Sequence, residues 1–376
     1  MHLILTISSQ CSVSSLFIPL TPSSVKLVCF FIHSTVCSAR MRKPTVLGAI
    51  AISEFCVSFT YNQNVFPALT FLMFPLALFL NGMAAWVSLH LKSTSTFVVY
   101  LKNLVAADLI LTLLIPLKAA SDLRDAPKTL FKLSCRFFST TFYSTQYTCI
   151  TLLGFISLDR FFKIMAPRNK LLSLKFSKVT SGFVWLILFG GTALPNIILT
   201  NKSAANTTDI SSCMILKGPD GIQLHGIIVI SLNVLFWVIS VIIAVCYICI
   251  ANKVFYSIRK SGSNNNQGKQ KIKLRVFLVV FVFFVSFTPY HIVRIPYTFQ
   301  QVSYSSMTSC SYLMAKFAKE FSLWLATANT CMDPLLYVFL CREFKEKLTS
   351  MTKNVLTTFK VAAAGKAEAT SSKNRL

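Results

Sequence analysis

The chain is short of the parts that most protein chemistry needs. It carries 12 acidic residues against 37 Lys and Arg, only five His, and 12 Gly in 376 residues. No Ser, His and Asp set suggests a catalytic triad, no Gly-rich loop is shaped to cradle a phosphate, and the Cys residues lack zinc-binding spacing. These absences argue against an enzyme and give no reason to expect a cofactor. There is also no internal repeat and no pair of broken helices, features that many secondary transporters show, so a transporter is a weak rival reading.

Apolar length is what the chain has in abundance. It is 54% hydrophobic with a mean hydropathy of +0.63, and a run of about 20 apolar residues crosses a bilayer. Seven such runs are read at residues 66–91, 97–121, 135–160, 178–199, 222–251, 274–298 and 315–340. The expectation is an all-α membrane protein, a seven-helix bundle over residues 56–341 followed by a cytoplasmic segment, 342–376. In a soluble chain a formal charge of +25 would suggest a nucleic-acid partner. Here the cations collect in alternate loops: Lys163, Arg168, Lys170, Lys175 and Lys178 after span three, and Lys253, Arg259, Lys260, Lys269, Lys271, Lys273 and Arg275 after span five. The positive-inside rule puts both loops in the cytoplasm and the N-terminus outside, and no nucleic-acid polymer is expected. Sequons at Asn201 and Asn206 fall in a loop this topology places outside, where glycosylation is possible.

Residues 1–55 hold three apolar patches too short to span; they read as a disordered extension or as sequence foreign to the mature protein, with a cleaved signal region as the alternative. Cys149, Cys246, Cys249 and Cys331 fall within spans as packed thiols, whereas Cys56, Cys135, Cys213 and Cys310 lie in or beside outer segments where disulfides form, although sequence alone does not pair them. Asn81 in span one, Asp108 in span two, and Asn329 and Asp333 in span seven form a candidate buried polar cluster, read either as a holder of water or a sodium ion at Asp108 or as a structural knot. In span three Ser139, Tyr143 and Tyr147 are spaced four apart, a stripe that serves either packing or ligand contact. After span seven, CREFKEKLTSMTKNVL has the periodicity of an amphipathic helix on the inner leaflet, with Cys341 as a candidate acylation site, and the tail beyond Ala362 reads as disordered.

The densest signal is FFVSFTPYHIVRIPYT, residues 283–298. It holds Pro289, which deletes a helical hydrogen bond, together with His291 and Arg294, which are costly at membrane depth unless they face a partner or a wet cavity. Helical spacing predicts that Phe287, His291, Arg294 and Thr298 share one wall.

Asn81, Asp108, Cys135, Asp159-Arg160-Phe161, Trp185, FxxSFTP and DPLLY (Asp333 to Tyr337), in that order, resemble the rhodopsin-like (class A) G-protein-coupled receptors over roughly residues 60–350. LKNLVAADLI, LPNIILTN, CMILKGPDG, FTPYHIVRIPYT and AKEFSLWLATANTCMDPLLYVFLC are similar to the purinergic nucleotide receptors, in their Gi-coupled branch for ADP or UDP-sugars. The resemblance implies disulfides Cys135–Cys213 and Cys56–Cys310. It implies a nucleotide site of Tyr143, Tyr147, Asn196, Lys217, His225, His291, Arg294, Tyr297, Gln301, Lys319 and Glu320. It further implies a switch involving Asp159, Arg160, Phe287, Pro289, Asp333, Pro334 and Tyr337, plasma-membrane location, and as partners Gi, arrestin, receptor kinases and membrane lipid. Arg294, Lys319 and Lys217 suit a diphosphate independently, although the lysines are also read as snorkelling residues, and Tyr143 and Tyr297 suit a base. The implied mechanism has the nucleotide bridge Arg294 and Lys319 and pivot span six at Pro289. The chain departs from the family pattern at Leu224, Val229, Ile239 and Ser286 and at Ser211-Ser212. The rival ligand is another anion, a lysophospholipid or a carboxylate.

Overall fold

The computed structural model describes residues 64–92, 95–166, 173–200, 213–260, 266–302, 310–354 and 357. The N-terminal extension, both sequons, Cys56 and the tail lie outside them. Each apolar run is the centre of a helix: α1 (Val65–Leu89), α2 (Thr96–Ser121), α3 (Ser139–Met165), α4 (Leu174–Leu188), α5 (Pro219–Lys260), α6 (Asn266–Val302) and α7 (Cys310–Leu340). A further helix, α8 (Arg342–Asn354), turns away from α7 by 96°. Helices α5 and α6 outrun their apolar spans because polar residues beyond those spans continue the backbone ladder. Hydropathy marks the membrane, not the helix end. Ser95 and Ser173 start α2 and α4 by accepting the amides of Val98 at 3.4 Å and Phe176 at 3.2 Å.

Five described helices are long and apolar enough by themselves to cross a bilayer: α1, α2, α4 with its continuation to Leu199, α5 and α6. α3 is not one of them, because Ser144, Thr145, Gln146, Thr148 and Ser157 dilute its apolarity, and all five are buried inside the bundle. Large apolar side chains point outward instead, with Leu72 and Leu89 at 78% exposure, Leu186 at 68% and Phe79 at 66%. That inversion of a water-soluble surface fits contact with lipid.

α1 packs on α2 and α7, α2 on α3 and α4, α3 on α4 and α5, and α6 on α5 and α7, so the ring closes around α3. Directed hydrogen bonds tie it together where apolar burial is not selective. Asn81 donates to the carbonyl of Thr330 at 2.9 Å, joining α1 to α7, and the Trp185 indole donates to Asn103 at 3.2 Å, joining α4 to α2.

The polar core keeps the expected contact of Asp108 with Asp333 and adds further partners. Asn329 donates to Asp333 at 2.8 Å, while Asp108 accepts from the Tyr337 hydroxyl and from the Cys149 thiol, 3.4 Å away. Both Asp108 oxygens are thereby engaged, Cys149 is a donor rather than a merely packed thiol, and Tyr337 belongs to this cluster. Cys246 and Cys331 are buried free thiols, and Cys249 is buried as well. Cys341 is a buried free thiol as well, and its sulfur accepts the Phe344 amide at 3.4 Å. Near the C-terminal end of α3, Asp159 binds Lys163 at 2.7 Å and Thr96, and the Arg160 guanidinium lies 4.5 Å from the centre of the Phe97 ring.

Candidate functional site

The disulfide Cys135–Cys213 closes over one end of the bundle, with Cα atoms 5.4 Å apart. Two π-helical turns shape that end. Ser134–Phe138 carries Cys135 into α3, and Phe189–Ala193 carries α4 into Leu194–Leu199. A hydrogen bond of 2.6 Å between Ser144 and Thr192 joins the two helices beside the second turn. From Cys213 the chain makes a single 3-10 turn, Cys213–Leu216, and an antiparallel bridge from Lys217 to Thr200 then leads Lys217 inward.

Below lies a cavity of about 650 Å³. Ten of the eleven proposed ligand residues line it: Tyr143 and Tyr147 of α3, Asn196, Lys217, His225 of α5, Arg294, Tyr297 and Gln301 of α6, and Lys319 and Glu320 of α7. Val229 lines it too, offering no polar group from α5.

His291 is the exception. Its ring stacks on Phe236 of α5 with centroids 3.6 Å apart, Nδ1 bonds the Phe287 carbonyl at 2.8 Å, and the Asn233 amide donates to the His291 carbonyl at 2.8 Å. The predicted wall of Phe287, His291, Arg294 and Thr298 is a buried face, but the α6 residues that line the cavity are Tyr290, Arg294, Tyr297 and Gln301. Only Arg294 belongs to both. The helix is rotated by one residue from the expected orientation because stacking on Phe236 claims the imidazole for the α5 contact.

Sequence reasoning missed Lys118, Asp122, Tyr290, Tyr312 and Lys316, all of which line the cavity. Signals were there: Lys118 and Asp122 stand four apart at the end of α2, and Tyr312, Lys316 and Lys319 follow the i, i+4, i+7 spacing of one helical face.

Seven cationic side chains and two carboxylates line this space. The carboxylates are committed: Asp122 binds Lys118 at 2.6 Å and Glu320 binds Lys319 at 2.8 Å. Among the described residues no carboxylate pairs with Arg294 or Lys217. The Arg294 guanidinium sits 5.4 Å from the Tyr143 ring centre and 6.0 Å from that of Tyr290. Cation–π attraction of this kind holds a cation without cancelling its charge. Lys217, itself buried, donates to Asn196 Oδ1 at 2.6 Å and lies 3.4 Å from His225 Nδ1. Burial, aided by the nearby Arg294, pushes its ammonium down to about 8. A lysine so placed gains from any anion that enters.

Residues 80–337 match the family described as 7 transmembrane receptor (rhodopsin family). The chain belongs to this family. Its members span the membrane seven times, so the rhodopsin-family receptor fold includes α3 and α7 as spans. The chain is a receptor and not an enzyme. It is 44% identical to human purinoceptor 13 over 82% of this chain and 87% of that protein. It is 37% identical to bovine purinoceptor 14 over 76% and 85%, and 36% identical to mouse G-protein coupled receptor 87 over 77% and 80%.

Proposed function

We propose that this receptor answers an extracellular nucleotide, a nucleoside diphosphate or nucleotide sugar, and signals through Gi from the plasma membrane with its N-terminus outside. The observation that carries the reading is the pair of buried cations without carboxylate partners, Arg294 and Lys217, facing one cavity beside the aromatic rings of Tyr143 and Tyr297. A diphosphate supplies the missing negative charge and a purine or pyrimidine supplies the flat partner. The similarity to two purinoceptors supports the same class.

In this reading phosphate oxygens meet Arg294 through its fork and Lys217 as a point charge, with Lys319 as the adjacent cation on α7. Drawing α6 toward α7 at the outer end shifts an equilibrium between two arrangements of α6, and the ligand moves it only by its differential affinity for them. Pro289 lacks the amide that would bond the Val285 carbonyl, so α6 is weakest between the site and its cytoplasmic half. The cytoplasmic half, Arg160 and Tyr337 then admit the G protein, with arrestin and receptor kinases acting on the active form. In cells expressing the full chain, ADP, ATP, UDP and UDP-glucose are applied one at a time. A pertussis-toxin-sensitive fall in cAMP with one of them supports the assignment. Silence to all four at confirmed surface expression removes it and turns attention to anionic lipids.

A further inference from the structure

Four of the cavity's seven cations fall into two classes. Arg294 and Lys217 have no carboxylate partner among the described residues, whereas Lys319 is joined to its own sequence neighbour Glu320 at 2.8 Å and Lys118 to Asp122 at 2.6 Å. These two pairs differ in what they exclude. The Asp122 side chain is 38% exposed, so solvent screens it, whereas Glu320 is 23% exposed and its partner Lys319 only 10%. Lys319 also lies 5.7 Å from the Tyr297 ring centre, on the side of α7 that faces α6. Glu320 therefore carries a negative charge into the space that Arg294 and Lys217 face.

A carboxylate in this position discriminates by charge number. Like charges brought together in a partly buried site cost several kcal/mol, whereas opposite charges there are individually favourable. A ligand of moderate charge satisfies Arg294 and Lys217 and leaves the Lys319–Glu320 pair intact. A ligand with one more phosphoryl group directed toward α7 meets Glu320 or separates it from Lys319.

We propose that Glu320 sets the number of phosphoryl groups the cavity accepts, acting as an internal counter-ion on Lys319 that favours a diphosphate over the corresponding triphosphate. Asp122 acts in the same sense on Lys118, more weakly because water screens it. This rests on the nucleotide reading above and adds to it a specificity-determining residue whose effect is on a ratio, not on binding as such.

The test is competition binding on membranes of cells expressing the full chain, with labelled ADP or UDP displaced by unlabelled ADP, ATP, UDP and UTP while hydrolysis is blocked. The readout is the triphosphate-to-diphosphate ratio of half-displacing concentrations for each base. The wild-type ratio is expected above one, and Glu320→Gln is expected to lower it on the order of tenfold, the equivalent of about 1.4 kcal/mol. Glu320→Asp, which keeps the charge, is expected to retain the wild-type ratio. Should Glu320→Gln fail to reach the surface, Asp122→Asn gives the same reading with a smaller shift, about threefold, in the same direction. A ratio unchanged in both neutral variants, or a wild-type ratio at or below one, overturns the inference and leaves the nucleotide reading standing. Absence of saturable displacement in the wild type removes both.

Discussion

Arg294 is the residue on which most of the site depends. It is 7% exposed, cradled between Tyr143 and Tyr290, and faces the cavity without a carboxylate. Truncating one member of a buried charged contact costs about 2 kcal/mol or more, so Arg294→Ala should raise the half-effective nucleotide concentration at least about thirtyfold. Surface labelling should be unchanged, and an unshifted dose curve would remove Arg294 from the site. Lys217 supports a second prediction. With its ammonium held down to about 8, the free receptor keeps that charge below pH 8 and loses it above. The phosphate stays ionised throughout, so affinity should decline as pH rises through about 8 and Lys217→Arg should flatten the profile. A wild-type profile that is flat between about pH 7 and 9 would show that Lys217 does not touch the ligand. At this scale Arg294 was legible because a guanidinium in an apolar run has few benign explanations. His291 was not, because its stacking on Phe236 depends on how α5 and α6 meet, which periodicity within α6 does not encode.

At the level of helices, the seven cores follow from apolar runs, while their rotations follow from single contacts. α5 runs unbroken for 42 residues. No proline interrupts it at the mid-span position, where Ile239 stands instead and is 6% exposed. Opposite it α3 offers Gly154, where an added Cβ would meet Ile239 Cγ2 at 3.0 Å. Ile is stiff at its first side-chain torsion, so the contact yields little. Gly154→Ala should therefore destabilise the receptor by about 1–3 kcal/mol, seen as earlier thermal inactivation in detergent, and Ile239→Ala in the same chain should recover most of the loss. Additive losses in the double variant would show that the helices do not press on each other there. The pairing was unreadable from the sequence, since a lone Gly in an apolar helix marks close approach without naming the partner.

Across the whole molecule, the placing of the helices along the chain was the most legible feature, because it rests on apolar length. The cavity was legible in its membership and not in its charge balance, which required knowing that Lys118 and Lys319 are already paired. The outside placement of the loop after α4 is open to a direct check. Glycosidase treatment should lower the apparent mass of the mature protein, and the joint change of Asn201→Gln and Asn206→Gln should abolish that shift; an unmodified wild type would leave the placement of this loop without support. The polar lining of α3 bears on biogenesis. Ser, Thr and Gln side chains that suit the centre of a bundle make α3 a poor substrate for a translocation channel that sorts segments by apolarity one at a time. A nascent chain ending just after α3 should leave that helix largely unintegrated, and extension through α4 should rescue it. Helix α3 would then enter the bilayer as its neighbours' dependant, and the receptor would acquire its central helix only after the next one had been made.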